Sequence, residues 1–98
     1  MTQSSQTLLP ASSTQILFVV VFGYPQLRYS STLAHFEALA AGGTTKPELS
    51  IDVENAFKIG YNHPWEAARA LRKNGEIMSG EGGRWMVGVK WAVRHFML

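Results

Sequence analysis

Apolar residues gather along the chain in runs of different period, and the period assigns each element. Ile16-Leu-Phe-Val-Val-Val-Phe22 is unbroken, β-branched and aromatic, and Gly23 and Pro25 close it. That composition predicts a strand with both faces apolar. Over Tyr29–Ala40 the period lengthens. Leu33, Phe36 and Leu39/Ala40 form one helical stripe, with Ser30 or Ser31 as cap, Gly42-Gly43 as stop, and His35 and Glu37 facing solvent. Lys46–Asp52, around Leu49 and Ile51, reads as an edge strand because Pro47 lacks an amide donor. Asn55–Tyr61 alternates, with Phe57, Ile59 and Tyr61 on one face and Ala56, Lys58 and Gly60 on the other. Pro64 opens a second helix that turns Ala67, Ala70 and Leu71 inward and Arg69, Arg72 and Lys73 outward, and Asn74-Gly75 stops it. Trp85–Val93 is predicted as a last strand, with Val87 and Val89 on one face and Met86, Gly88 and Lys90 on the other.

The order strand, helix, strand, strand, helix, strand predicts an α+β, ferredoxin-like βαββαβ fold. Right-handed crossovers give a four-stranded antiparallel sheet with two helices on one face. Residues 16–93 form this domain. Residues 1–15, rich in Ser, Thr and Gln, read as a flexible tail, and 94–98 are a short C-terminal end. The second sheet face is left open.

Ninety-eight residues suffice for one such domain. Charged residues are 16% of the chain, below the ~25% usual for soluble domains, so a face is buried or the polar surface is largely uncharged. The net charge of +2 is too small for a polybasic nucleic-acid or membrane arm. With no cysteine there is neither a disulfide nor a thiolate nucleophile. The longest apolar run, Ile16–Phe22, falls far short of the ~20 residues of a membrane helix. The first residues carry no basic stretch ahead of an apolar one, so no secretory signal is expected.

Catalytic chemistry is not expected either. His35, His63 and His95 form no metal-ligand spacing with each other or with a carboxylate, and each reads as a surface, turn or terminal residue. Gly80-Glu-Gly-Gly83 lacks the lysine and hydroxyl of a phosphate loop. Neither a catalytic residue, a metal nor a cofactor is assigned.

The same βαββαβ order occurs in RNA-recognition motifs, where aromatics on the open face stack on bases. The third-strand octamer should read Lys/Arg-Gly-Phe/Tyr-Gly/Ala-Phe-Val-x-Phe/Tyr. Here it is Glu54-Asn55-Ala56-Phe57-Lys58-Ile59-Gly60-Tyr61, so Ala56 and Lys58 occupy the stacking positions. On the first strand the stacking position is Val20. Each stacked base contributes ~1–3 kcal/mol, so losing all three aromatics leaves weak single-strand affinity. The outward set is instead apolar: Phe18, Val20 and Phe22, beside Ala56, Gly60 and Met86. Residual phosphate contacts would fall to Lys58, Lys90 and Arg94, and a weak single-stranded RNA binder is the alternative reading.

Val21-Phe-Gly-Tyr-Pro25, Leu33-x-x-Phe36, Ala56-Phe-Lys-Ile-Gly-Tyr61, Ala67-x-x-Ala-Leu-x-Lys-Asn-Gly75 and Met86-Val-Gly-Val-Lys90 together resemble the RNA-recognition-motif domain of the mitotic phosphoprotein nucleoporins. These are the linker nucleoporins of the nuclear-pore inner ring. The resemblance implies a module that homodimerises through its sheet face, through Phe22, Ala56 and Lys58 here. Phe18, Val20 and Met86 are added from the outward set. It implies location at the nuclear envelope in the nuclear pore complex, other inner-ring nucleoporins as partners, and a part in nucleocytoplasmic transport. Membrane contact would come only through regions outside this chain. Vertebrate-like members carry Trp where this chain has Ala56.

Overall fold

The computed structural model describes residues 15–92. Most of the predicted tail, and Val93, Arg94 and His95, lie outside the described residues. The elements are β1 (Leu17–Phe22), a 3-10 turn (Gln26–Arg28), α1 (Tyr29–Glu37), β2 (Glu48–Leu49), β3 (Ala56–Tyr61), α2 (Pro64–Leu71), β4 (Ile77–Gly80), β5 (Gly83–Met86) and β6 (Gly88–Trp91). The main sheet runs β2-β3-β1-β6, every pair antiparallel. This is the predicted ferredoxin-like order, with β1 and β3 in the middle. Their inward residues, Val19, Val21, Phe57, Ile59 and Tyr61, are fully buried with Phe36, Ala67 and Ala70.

Buried polar groups fasten the helices to this core. The Tyr61 hydroxyl donates to the Phe36 carbonyl at 2.7 Å. Burial, then the nearby Glu66 and Glu37, raises the Tyr61 phenol far above its ordinary range, so it stays a donor at any physiological pH. Glu66, fully buried in the first turn of α2, accepts the Ala41 amide on Oε2 at 3.1 Å. It thereby holds the chain leaving α1 against α2.

Four expectations need correction. First, α1 ends at Glu37 rather than Ala40, because the amides of Leu39 and Ala40 bond three residues back and tighten into turns. Its N-cap is Arg28, and neither Ser30 nor Ser31 caps it. Second, the edge strand is only Glu48–Leu49. The Ser50 amide bonds the Ala56 carbonyl and closes a loop that carries Ile51 out of the sheet. Third, His35 is half-buried rather than solvated, its Nε2 3.9 Å from Glu76 Oε1.

The fourth correction is the last strand, which is two. β1 turns away at Gly23 (φ +87°), so its last pair is Phe22 with Gly88. Upstream of Gly88 the ribbon needs another partner and finds residues 75–80. Val87 exchanges backbone bonds with Gly75 and Glu76, and β5 pairs with β4. The predicted alternation survives the change of partner, with Trp85, Val87 and Val89 buried and Met86 and Lys90 exposed. Trp85 docks the hairpin: its indole N–H donates to the buried Thr32 Oγ1 at 3.0 Å, and the Arg28 guanidinium lies 4.7 Å from the ring.

Candidate protein-binding face

The open sheet face forms the floor of a broad trough of about 790 Å³. Two phenylalanines from β1 shape that floor. Phe18 pairs with Gly60 on β3, and Phe22 with Gly88 on β6. A Cβ added to Gly60 would meet Phe18 Cε1 at 2.7 Å, and one added to Gly88 would fall on the Phe22 ring. Each ring therefore lies across a glycine of the neighbouring strand, covering backbone that would otherwise face water. This flattens the face and leaves both rings half-buried.

Between the rings, Val20 pairs with Lys58 on one side and Lys90 on the other. The Lys58 ammonium stands 5.1 Å from the Phe18 ring and 3.3 Å from Glu48 Oε1. The Lys90 ammonium is 6.0 Å from the Phe22 ring and has no carboxylate partner among the described residues. Ala56, opposite Phe22, is 5% exposed, so it is floor rather than platform.

Phe18, Val20, Phe22, Ala56, Lys58 and Lys90 thus meet on one surface. Met86 does not. It keeps outward parity, but it sits beyond the last β1–β6 pair, stands opposite Ile77 in the hairpin, and lies outside the trough lining. Arg94 lies outside the described residues.

Sequence reasoning missed the trough's walls. Leu49, Ile51 and Val53 line one side, Ile16 and Trp91 line other parts of the rim, and all five are exposed. The signal was present as a period of two through Leu49, Ile51 and Val53 that runs past the end of the strand. The loop that carries them is held by its own bonds. Ser50 Oγ accepts the amides of Asp52 at 3.2 Å and Val53 at 3.0 Å, and the Asn55 carbonyl, at φ +61°, accepts the Gly23 amide at 3.0 Å.

The described histidines are not brought together. His35 lies against Phe36 on α1, and His63 stacks on Trp65 at the start of α2. Among the described residues no three His, Asp or Glu side chains are grouped as a metal site.

Over residues 5–95 the chain matches the Nup53/35/40-type RNA recognition motif family. It is also similar to the crystal structure of the Nup53 RRM domain from Pichia guilliermondii, with 27% identity and a TM-score of 0.61. That likeness covers 82% of this chain and 94% of the other. No curated protein matches the chain closely.

Proposed function

This chain belongs to the Nup53/35/40-type RNA recognition motif family, and from that premise we propose that it is a structural module of a nuclear-pore protein that joins two copies of itself through the open sheet face. The observation that carries this reading is the chemistry of the face. The positions that would stack bases hold Val20, a buried Ala56 and an ion-paired Lys58, while the Phe18 and Phe22 rings are packed down onto glycines. A contiguous apolar surface of this kind favours a protein partner. An isologous contact needs only the surface already present on each copy. Location at the nuclear pore, other inner-ring nucleoporins as further partners, and a supporting part in nucleocytoplasmic transport belong to the same proposal.

Phe22→Glu tests it, because Phe22 lies outside the buried core. The substitution removes the ring and would bury a carboxylate, with Lys90 the nearest described cation, in an apolar interface. Sedimentation should show a monomer whose far-ultraviolet circular dichroism and unfolding midpoint stay near those of the parent. A folded variant that remains dimeric overturns the proposal.

A further inference from the structure

The trough and the loop beside it carry opposite charge on similar apolar surfaces. The loop reads Ile51-Asp52-Val53-Glu54, with Ile51 97% exposed, and neither acid has a cationic partner among the described residues. The opposite rim, on β6, offers Lys90 beside the Phe22 ring. We propose that in the homodimer the two copies exchange loops: Asp52 and Glu54 of each reach Lys90 of the other, and Ile51 covers the other's Phe22. The inference rests on the sheet-face reading above and specifies its geometry.

Three observations support it. The sheet floor alone is small. A full four-stranded face of ~20 Å strands spaced ~4.8 Å covers roughly 400 Å², and here the outer strands have only 2 and 4 residues. A standard specific interface takes ~800 Å² from each partner, so the floor needs extra contact area. The loop can supply that area because its internal bonds to Ser50 Oγ fix it before binding, which limits the ordering cost. Topology also puts the two surfaces in register. The loop adjoins edge strand β2, and β6 is the opposite edge of the sheet. A two-fold axis lying in the interface, parallel to the strands and between β3 and β1, sets each copy's β2 edge over the other's β6 edge. It keeps the same end of the strands together, and that end holds Ala56, next to the loop, and its cross-sheet neighbours Phe22 and Gly88.

Charge exchange is the test. Lys90→Glu should weaken the dimer by at least about tenfold, because each of two equivalent contacts then faces like charges. The double variant Asp52→Lys, Glu54→Lys should do the same. Mixing the two variants should restore a heterodimer near parental affinity, since both contacts again pair opposite charges. All three side chains are exposed and without an ion-pair partner among the described residues, so folding is not at issue. Sedimentation velocity with one fluorescently labelled variant reads the result. If Lys90→Glu dimerises like the parent while Phe22→Glu dissociates, the loop exchange is wrong and the sheet-face dimer stands. Monomeric variants that do not associate on mixing also overturn the exchange. A parent chain that stays monomeric at high concentration overturns both.

Discussion

Replacing Gly60 by alanine introduces one methyl group where three side chains already meet. Its Cβ would lie 2.6 Å from Ile16 Cγ2, 2.7 Å from Phe18 Cε1 and 2.9 Å from Thr45 Cγ2. Ordinary carbon contacts are ~3.5–4.0 Å, so each neighbour must retreat by roughly 0.6–1.4 Å. Ile16 and Phe18 can swing toward the open trough. Thr45 cannot follow freely, because its Oγ1 accepts the Gly60 amide at 2.9 Å and its own amide donates to the Gly60 carbonyl at 3.1 Å. Overpacking of this kind costs about 1–3 kcal/mol, and the lower entropy of an unfolded alanine returns about 0.4–1 kcal/mol. The expected net loss is about 1–2 kcal/mol, or about 4–8 °C in Tm for each kcal/mol. Urea unfolding checks the value. Thr45→Ser keeps the hydroxyl and removes Cγ2, so Gly60→Ala should cost measurably less in that background. Gly88→Ala displaces only the Phe22 ring, which is free to rise, and should be the milder change. A Gly60→Ala variant as stable as its parent, or less damaging than Gly88→Ala, would refute this account of how the face is packed.

Thr32→Val leaves the buried Trp85 indole N–H without an acceptor and should cost about 1–3 kcal/mol in urea unfolding, while Thr32→Ser should largely retain stability. Burial, then Lys73, holds the His35 imidazole below its ordinary 6.5, with Glu76 opposing. The unfolded chain therefore binds more protons below that pH, so this contribution is full above about 6.5 and is lost as pH falls through the folded value. Unfolding midpoints measured from pH 7.5 to 5 should show that slope, and His35→Gln should flatten it; a parent that gains stability on acidification across this window contradicts the reading. Introducing stacking rings with Val20→Tyr, Ala56→Phe and Lys58→Phe together should raise affinity for a labelled pyrimidine RNA well above the parent's. Tight, sequence-selective binding by the parent at physiological salt would reverse the functional reading.

The fold was legible wherever one period governed one segment. Residues 17–22 and 56–61 announce themselves by β-branching and alternation, and Pro64 with Asn74-Gly75 brackets α2 closely. Legibility failed where tertiary pairing decided. Nothing local in Ile77-Met-Ser-Gly80 distinguishes a strand from a loop; it becomes one because β1 ends at Phe22 and leaves the ribbon around Trp85 to find another partner. The same switch removes Met86 from the candidate face although its parity is right. Alternation foretold that Phe18, Val20, Phe22 and Lys58 share one face. It could not foretell that the rings lie on Gly60 and Gly88, because that depends on cross-strand register. The Ile51–Glu54 loop was read partly as strand, since its apolar period continues past the last paired residue.

Self-association through the sheet face is the central claim, and sedimentation of the unmodified chain across a dilution series tests it most directly. A floor of this size, enlarged by one loop from each copy, should give a dissociation constant of micromolar order, about −8 kcal/mol. The weight-average mass should rise smoothly from 10.9 kDa toward twice that value as concentration passes from low to high micromolar. A mass that stays at the monomer value up to millimolar concentration would contradict the account.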